Sequence, residues 1–364
     1  MKILIVKMSS LGDVIHALPA LVDLKKMKPD TEIDWLVEEG FSDIPEQHPF
    51  VNKIIPVAIR RWRKKWIRSL ASGEIGKFIS ALRASNYDLI IDSQGLIKSA
   101  IVARIARGPV GGFDWESARE SLASLTYAQS VEVDRGLHAV ERQRRLFAGL
   151  FGYELSGGAD YGFNADGFNP AGFKDAASKH EDSNSPDPVA EAKKSIMLLH
   201  GTTWESKLWP ESYWRSLCQI ILEAGYEVMI PSGDEIERKR AERIADSTRA
   251  VLLESMGLKE IMSVIATCQG VVSVDSGLGH LACALDIPLI ALYGATDPSL
   301  TGITGPRQSV IVSDHLQCIP CKERNCRYGL GDNSSKIYPP CFEQSTPESV
   351  WQALQSQISK TVSI

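Results

Sequence analysis

One carboxylate near the start of the chain stands where a base could act on a bound substrate. Residues 2–7 have an apolar centre and predict a buried strand, a Ser/Gly turn follows, and Asp13 opens an apolar-periodic helix. In an open α/β sheet, ligands bind at the loops that leave the carboxyl ends of the strands. Asp13 could therefore take a proton from a substrate hydroxyl, or it could only cap its helix.

Two stretches in the second half have the residue types of phosphate-binding loops. Thr202, Thr203 and Lys207 follow a predicted strand, and their hydroxyl and ammonium groups suit a diphosphate. Residues 275–280 (DSGLGH) lead from a strand into a helix start, where backbone amides favour an anion. Glu237 follows a third strand end and could bond a ribose. The alternatives are a polar surface loop for the stretch from Thr202 to Lys207, a solvated helix surface for Glu237 and a buried structural role for His280.

A basic and aromatic run predicts an anionic ligand in the first half. Six of the nine residues from Arg60 to Arg68 are basic, and two are tryptophans. This pattern fits nucleic acid, an anionic membrane surface or a phosphorylated glycolipid, with a solvated charge run as the alternative. The first 150 residues hold 22 Lys and Arg against 18 Asp and Glu, whereas the remainder holds 18 against 27. The net charge of −5 and the lack of a second basic cluster disfavour nucleic acid.

Four of the seven cysteines lie close together near the end of the chain, at Cys318, Cys321, Cys326 and Cys341. Their spacing does not match a standard zinc motif, so a structural metal site, a redox pair and free thiols all stay open. No metal site is predicted elsewhere. The low density of cysteine is not that of a disulfide scaffold and favours a cytosolic protein.

Strand-like and helix-like segments alternate through both halves, which predicts parallel sheets built from βαβ units. Strands are predicted at 2–7, 32–38, 53–59, 87–92, 195–200, 226–231, 250–254, 270–275 and 288–293. Helices are predicted at 12–28, 73–85, 96–106, 138–151, 210–224, 235–247, 257–267, 278–285 and 346–359, with Pro19 breaking the first. Neither half has a dinucleotide-binding glycine pattern or a P-loop, which argues against a dehydrogenase or an NTPase.

The alternation predicts an α/β protein with two doubly wound, Rossmann-like domains. We expect the first domain at 1–160, a Gly/Ser/Pro-rich linker or insertion at 161–194, the second domain at 195–345 and a last helix at 346–364. The first apolar run is too short for a secretory signal, and the longest apolar stretch, 271–295, contains two carboxylates. A soluble chain is therefore expected.

Several long strings resemble the lipopolysaccharide heptosyltransferases of glycosyltransferase family 9, over nearly the whole chain. They are 7–13 (KMSSLGD), 35–41 (WLVEEGF), 55–66 (IPVAIRRWRKKW), 92–99 (DSQGLIKS), 138–142 (HAVER) and 274–280 (VDSGLGH). The resemblance implies a GT-B fold, in which the two domains face each other across a cleft and the last helix crosses back to the first domain. It is closest to the type I enzymes, although the cysteine-rich loop is more similar to type II.

The resemblance implies transfer of L-glycero-D-manno-heptose from ADP-heptose to a Kdo sugar of Kdo2-lipid A, with inversion at the anomeric carbon. No cofactor is implied. The implied partners are the donor, the acceptor glycolipid and the anionic cytoplasmic face of the bacterial inner membrane, with no nucleic acid. A family member with another acceptor and a non-catalytic module that binds an anionic glycolipid are the alternatives.

The resemblance also assigns roles to residues. Asp13 is the implied general base, and Lys207 is implied to act in catalysis as well as in donor binding. The implied donor site comprises Thr202, Thr203, Lys207, Glu237, Asp275, Ser276, Gly277 and His280. The implied acceptor site comprises Ser10, Gly12, Arg60, Arg61, Arg63, Lys64, Gln94, Lys98 and Arg119.

Overall fold

The chain divides into two compact units, Met1–Phe163 and Asn164–Ile364. A computed structural model describes residues 1–163, 194–246, 248–328 and 337–362. The predicted linker or insertion at 161–194 falls almost entirely outside the described residues.

A six-stranded parallel sheet forms the centre of the first unit as far as the structure describes it. Its strands are β1 (Lys2–Val6), β2 (Glu32–Glu38), β3 (Lys53–Val57), β4 (Leu89–Asp92), β5 (Val110–Phe113) and β6 (Gln129–Val131). They lie in the order β3-β2-β1-β4-β5-β6. Residues 3–6 of the central strand β1 are fully buried, as expected of a parallel strand that is covered on both faces.

Helices cover the strands of this first sheet. They are α1 (Leu11–His16), α2 (Leu18–Met27), α3 (Asp43–Glu46), α4 (Ile59–Lys64), α5 (Trp66–Ala71), α6 (Glu74–Leu82), α7 (Ile97–Ile105) and α8 (Ala139–Phe151). The helix predicted at 12–28 is divided at Ala17 into α1 and α2. Pro19 lies in the first turn of α2, where a missing amide N–H costs no helical hydrogen bond.

The described part of the second unit is also built on a six-stranded parallel sheet. Its strands are β7 (Ser195–Leu199), β8 (Glu227–Ile230), β9 (Val251–Leu252), β10 (Gly270–Val274), β11 (Leu289–Tyr293) and β12 (Gln308–Val312). They lie in the order β12-β11-β10-β7-β8-β9. The sheet therefore has the same arrangement as the first, with the first strand of the unit at its centre.

The helices of the second unit bury an aromatic-rich core. They are α9 (Glu211–Glu223), α10 (Glu235–Ala245), α11 (Leu258–Thr267), α12 (Gly277–Ala284), α13 (Pro298–Thr301) and α14 (Pro347–Val362). The terminal helix α14 packs against α9 and against β10, β11 and β12. Trp351 of α14 joins Trp209, Trp214 and Phe342 in one buried cluster, so α14 is part of the core of this unit.

Three short strands are missing from the prediction: β5, β6 and β12. β5 contains Gly111 and Gly112, which have low strand propensity. A Cβ atom at position 112 would lie 2.4 Å from the ring of Tyr127, so close packing requires glycine there. β6 and β12 are edge strands, whose polar and half-exposed residues give little apolar signal.

Parallel pairing brings the connections that follow the strands to one edge of each sheet. In the first unit, the predicted site residues follow β1, β3, β4 and β5. In the second unit, they follow β7, β8 and β10. The predicted residues of each unit therefore share one edge of its sheet. Within the described residues, no helix has the length and apolar character needed to cross a membrane.

Candidate active site

Asp13 lies in the first turn of α1 and closes the loop that leaves β1. Its Oδ2 atom accepts hydrogen bonds from the backbone N–H and the hydroxyl of Ser10, both at 2.8 Å. Ser10 is the N-cap residue of α1, and Gly12 lies between the two. The carboxylate thus fixes the start of the helix from its third position, with Ser10 and not Asp13 as the N-cap residue, while its Oδ1 atom takes no part in these two bonds.

The buried Lys7 side chain lowers the pKa of Asp13. Lys7 is only 5% exposed, and its Nζ atom donates to the carbonyl of Ser93 at 2.9 Å. Burial lowers the pKa of Lys7, whereas Asp13 and Asp92 act to raise it. Burial would raise the pKa of Asp13, but Lys7, the Ser10 bonds and Arg119 together hold it below the ordinary value. The Asp13 carboxylate is therefore ionised at neutral pH.

Gln94 holds the loop that carries Asp13. Its Oε1 atom accepts the N–H of Met8 at 2.8 Å, and its Nε2 atom donates to the carbonyl of Ser9 at 2.8 Å. Both ends of the amide thus bond the loop between β1 and α1. The structure shows Gln94 positioning this loop, in addition to the acceptor contact that the resemblance implies.

Asp92, at the end of β4, organises the neighbouring loop. Its carboxylate accepts hydrogen bonds from the N–H groups of Gln94 and Gly95 at 3.1 Å, from Ser99 at 2.9 Å and from Tyr127 at 2.7 Å. Burial raises its pKa, and these four bonds act in the opposite direction. Asp92 therefore fixes the place of Gln94 and, through it, the loop of Asp13.

Exposed cations lie on the same edge of the first sheet. Lys98 is in the first turn of α7, and Arg119 follows β5. Arg63 and Lys64 end α4 and are exposed. Arg60 stacks over the ring of Phe41 at 4.9 Å. These side chains could contact an anionic ligand at this edge.

The basic run is helical, and the strand predicted at 53–59 is shorter than predicted. β3 ends at Val57, and residues 59–71 form α4 and α5. Trp62 packs its ring against Phe78 at 5.4 Å and joins the core. Core packing therefore accounts for this tryptophan without a ligand. Arg61, a predicted acceptor-site residue, binds the carboxylates of Glu39 and Glu74. These bonds stabilise the helix, and they engage the Arg61 guanidinium within the protein.

Lys207 and Asp275 form an ion pair at the edge of the second sheet. Lys207 Nζ lies 2.7 Å from Asp275 Oδ2, and their side chains are 15% and 9% exposed. The ammonium also lies 4.5 Å from the centre of the Trp204 ring. Thr296 donates to Asp275 Oδ2 at 2.5 Å, and the Thr202 hydroxyl donates to the Asp275 carbonyl at 3.2 Å. The loops after β7, β10 and β11 thus meet at one carboxylate.

Glu237 is held between two loops of the second unit. Its Oε2 atom accepts the N–H of Gly233 at 2.8 Å, and Asp234 caps α10 by accepting the N–H of Glu237 at 2.9 Å. A Cβ atom at Gly201 would lie 2.5 Å from Glu237 Oε1, so glycine is required for this close approach. Glu237 is therefore fixed beside the Thr202 loop rather than free on a helix surface.

The remaining donor-site residues form the start of α12. Ser276 is its N-cap and accepts the N–H of Gly279 at 3.2 Å. Gly277 is the first helical residue. His280 is buried, with Nε2 at 3.9 Å from Asp275 Oδ1. Thr203 is exposed on the loop after β7. The positive end of α12 thus lies beside the Lys207–Asp275 pair, an arrangement that suits an anion.

Comparison with known proteins gives the family. A model of glycosyltransferase family 9 (heptosyltransferase) matches residues 75–330. Lipopolysaccharide heptosyltransferase 1 of Pseudomonas aeruginosa is 42% identical over 98% of this chain and 98% of its own length. The chain belongs to glycosyltransferase family 9.

Solved structures agree with this family 9 assignment. The E. coli heptosyltransferase WaaC with ADP-2-deoxy-2-fluoro heptose is 42% identical, with a TM-score of 0.75 over 86% of this chain and 94% of that one. E. coli ADP-heptose lps heptosyltransferase II is 21% identical, with a TM-score of 0.74 over 99% of each chain, which shows a shared fold. The predicted fold class, two Rossmann-like α/β domains of the GT-B kind, and the predicted enzyme class are confirmed.

Sequence reasoning missed several groups that organise the site of this family 9 enzyme. Lys7 follows the buried strand β1 and Asp92 ends β4, and a charged residue in that place was the available signal. Trp204 contacts Lys207 within one loop, and Thr296 contacts Asp275. The contact of Thr296 joins the loops of two different strands, so only the fold shows it.

The four clustered cysteines of this family 9 chain line one cavity of about 20 Å³. All four are free thiols. Burial, and then the neighbouring Cys326, Cys321 and Cys318, raise the pKa of Cys341 to about 12. Among the described residues, no three or more His, Cys, Asp or Glu side chains are grouped so as to hold a metal ion.

Proposed function

We propose that this enzyme transfers L-glycero-D-manno-heptose from ADP-heptose to a Kdo sugar of Kdo2-lipid A, with inversion at the anomeric carbon. The observation that carries the proposal is the Asp13 carboxylate, held by two hydrogen bonds from Ser10 at the edge of the first sheet. The identity of 42% to heptosyltransferase 1, against 21% to heptosyltransferase II, favours the type I acceptor.

The first unit binds the acceptor in this proposal. Asp13 takes the proton of a Kdo hydroxyl as that oxygen attacks the anomeric carbon of heptose. Lys98, Arg119, Arg63 and Lys64 supply positive charge for the carboxylates and phosphates of the glycolipid. Because Asp13 is ionised at neutral pH, it is ready to accept the proton without a prior deprotonation.

The second unit binds the donor. Lys207 and the first-turn amides of α12 receive the charge that develops on the departing ADP, where a well-placed donor contributes about 3–4 kcal/mol to the transition state. Glu237 bonds the ribose. These groups supply positive charge at the diphosphate, so the proposed reaction requires no cofactor.

We place the enzyme at the cytoplasmic face of the inner membrane, because the proposed acceptor is a lipid-linked sugar. The donor is a charged nucleotide sugar, whereas the acceptor is anchored by acyl chains. Peripheral contact with the membrane would bring the two to one enzyme.

Incubation with ADP-heptose and Kdo2-lipid A tests the proposal directly. We expect the glycolipid to gain one heptose by mass spectrometry and ADP to be released in equal amount. The matched reaction contains a core that already carries the first heptose, and we expect little product there. Product only from the heptosylated core would instead identify a type II acceptor.

Replacement of Lys7 by methionine should shift the pH dependence of the enzyme. Methionine keeps the length of the side chain but removes the ammonium that holds the pKa of Asp13 down. Burial then raises that pKa, so the acidic limb of the kcat/KM profile moves to higher pH. Lys53→Met, at an exposed position of β3, serves as the control and should leave the limb unchanged. An unmoved limb in a folded Lys7→Met enzyme would show that Lys7 does not set the charge of Asp13.

A further inference from the structure

Four large aliphatic side chains are exposed together on the first unit. Ile97 and Ile101 lie four residues apart on α7 and are 41% and 57% exposed. Leu122 and Leu125 lie on the short 3-10 helix Ser121–Thr126 and are 56% and 71% exposed. This helical turn packs against α7. We call these four residues the apolar face.

Hydrogen bonds and buried side chains hold the two segments of the apolar face together. Glu120 accepts the N–H of Ile97 at 2.7 Å and donates its own N–H to the carbonyl of Gly95 at 2.9 Å. Ala100 and Ala123 are buried beneath the two segments. The aliphatic side chains therefore point outward because the inner positions are already packed, and large exposed apolar groups that lie together indicate an interaction site.

Cations surround the apolar face. Lys98, Arg104 and Arg107 are exposed on α7 or directly after it, and Arg119 is exposed just before the 3-10 helix. Two exposed carboxylates, Glu116 and Glu120, lie in the same connection, and Glu120 is engaged with Ile97. Positive charge around aliphatic side chains is the pattern of a surface that inserts into the headgroup region of an anionic bilayer.

The apolar face also adjoins the proposed acceptor site. α7 begins three residues after Gln94, which bonds the loop that carries Asp13. If the acceptor is lipid-linked, its acyl chains lie in the bilayer while its sugar reaches Asp13. A face next to that loop must then meet the membrane.

We propose that the apolar face, with the cations around it, is the surface by which this enzyme docks on an anionic lipid bilayer. The side chains of Ile101 and Leu125, the most exposed of the four, enter the acyl boundary, and Arg104 contacts lipid phosphates. The inference rests on the proposed function for its biological purpose, but the docking itself requires neither donor nor acceptor.

Vesicle flotation tests the docking surface. The probes are vesicles of phosphatidylethanolamine with phosphatidylglycerol, and vesicles of phosphatidylcholine alone. We expect the wild-type enzyme to float with the anionic vesicles and less with the neutral ones. The double variant Ile101→Gln/Leu125→Gln should lose about tenfold or more of its partitioning, since both aliphatic groups that enter the bilayer are gone. The matched control is Leu252→Gln/Val312→Gln, at two exposed aliphatic positions of the second unit, and it should float as the wild type does.

A kinetic measurement separates this inference from the proposed function. With Kdo2-lipid A in vesicles, the double variant should lose kcat/KM in proportion to its lost partitioning. With a deacylated, water-soluble acceptor it should match the wild type. If the wild type floats but transfers no heptose, the proposed function is wrong and the docking surface stands.

Three outcomes would overturn the docking surface. The first is a wild type that transfers heptose but does not float with anionic vesicles, and the second is a double variant that floats as well as the wild type. The third is sedimentation of the wild type as a dimer and of the double variant as a monomer, with equal flotation. The last result would assign the apolar face to contact with a second copy of this chain.

Discussion

Asp13→Asn should lower kcat by about 10²–10⁴-fold, the range that a general base contributes. Asparagine has the shape of aspartate, and its amide oxygen can still accept the two Ser10 bonds that start α1. It cannot accept a proton from the acceptor hydroxyl. The measurement is single-turnover heptose transfer to Kdo2-lipid A, together with donor affinity by calorimetry, which should stay at the wild-type value.

The comparison with Ser10→Ala separates catalysis from capping. That change removes one of the two bonds to Asp13 but keeps the carboxylate, so we expect a loss of stability of about 1 kcal/mol and a smaller loss of rate. If Asp13→Asn turns over within tenfold of the wild type while its thermal unfolding is normal, Asp13 is a cap and not the base. Wild-type rates for both variants would point to a different residue on this sheet edge.

Lys207→Met should weaken the binding of ADP by roughly 10- to 100-fold, the range expected when a hydrogen bond from a charged group is lost. The Lys207 side chain is 15% exposed, and its ammonium lies 2.7 Å from Asp275 and beside the Trp204 ring. Its removal leaves the Asp275 carboxylate without this cation, so the site repels a diphosphate as well as losing a donor. Calorimetric titration with ADP measures the change.

A second variant shows whether Lys207 acts on the ligand or only on Asp275. In Asp275→Asn/Lys207→Met the uncompensated carboxylate is gone, so thermal stability should recover, whereas ADP affinity should stay below the wild-type value. Lys239→Met changes an exposed lysine of α10 and should alter neither quantity. Unchanged ADP affinity in a folded Lys207→Met protein would rule out a donor-binding role.

Asp13 and Lys207 show how much of the site can be predicted from local sequence patterns. Asp13, Lys207 and the 275–280 turn each follow a buried strand, and the carboxyl ends of parallel strands share one edge. Strand periodicity and that rule were enough to predict which residues lie at the edge. The missing strands mark the limit of the method, because two of the four residues of β5 are glycines, and the ring of Tyr127 requires the one at 112. No propensity scale predicts such a strand.

The basic run shows a different limit. Six cations and two tryptophans in nine residues predicted an anionic ligand but not the structure of the segment. The run forms helices, Trp62 packs on Phe78, and Arg61 pairs with Glu39 and Glu74. Composition gives the charge of a segment, but the partners of each side chain come from distant parts of the chain.

The sequence by itself determined the two α/β domains, the family and the residues at each sheet edge, because apolar periodicity and long local strings encode them. Only the tertiary structure decided how those residues are held. Lys7 and the Ser10 bonds hold the pKa of Asp13 down, Gln94 fixes its loop, and Asp275 joins Lys207 to Thr296. The physical reason is that Gln94, Asp275 and Thr296 follow different strands from the residues they contact, and that the electrostatic effect of a buried charge depends on distances that only the folded chain sets.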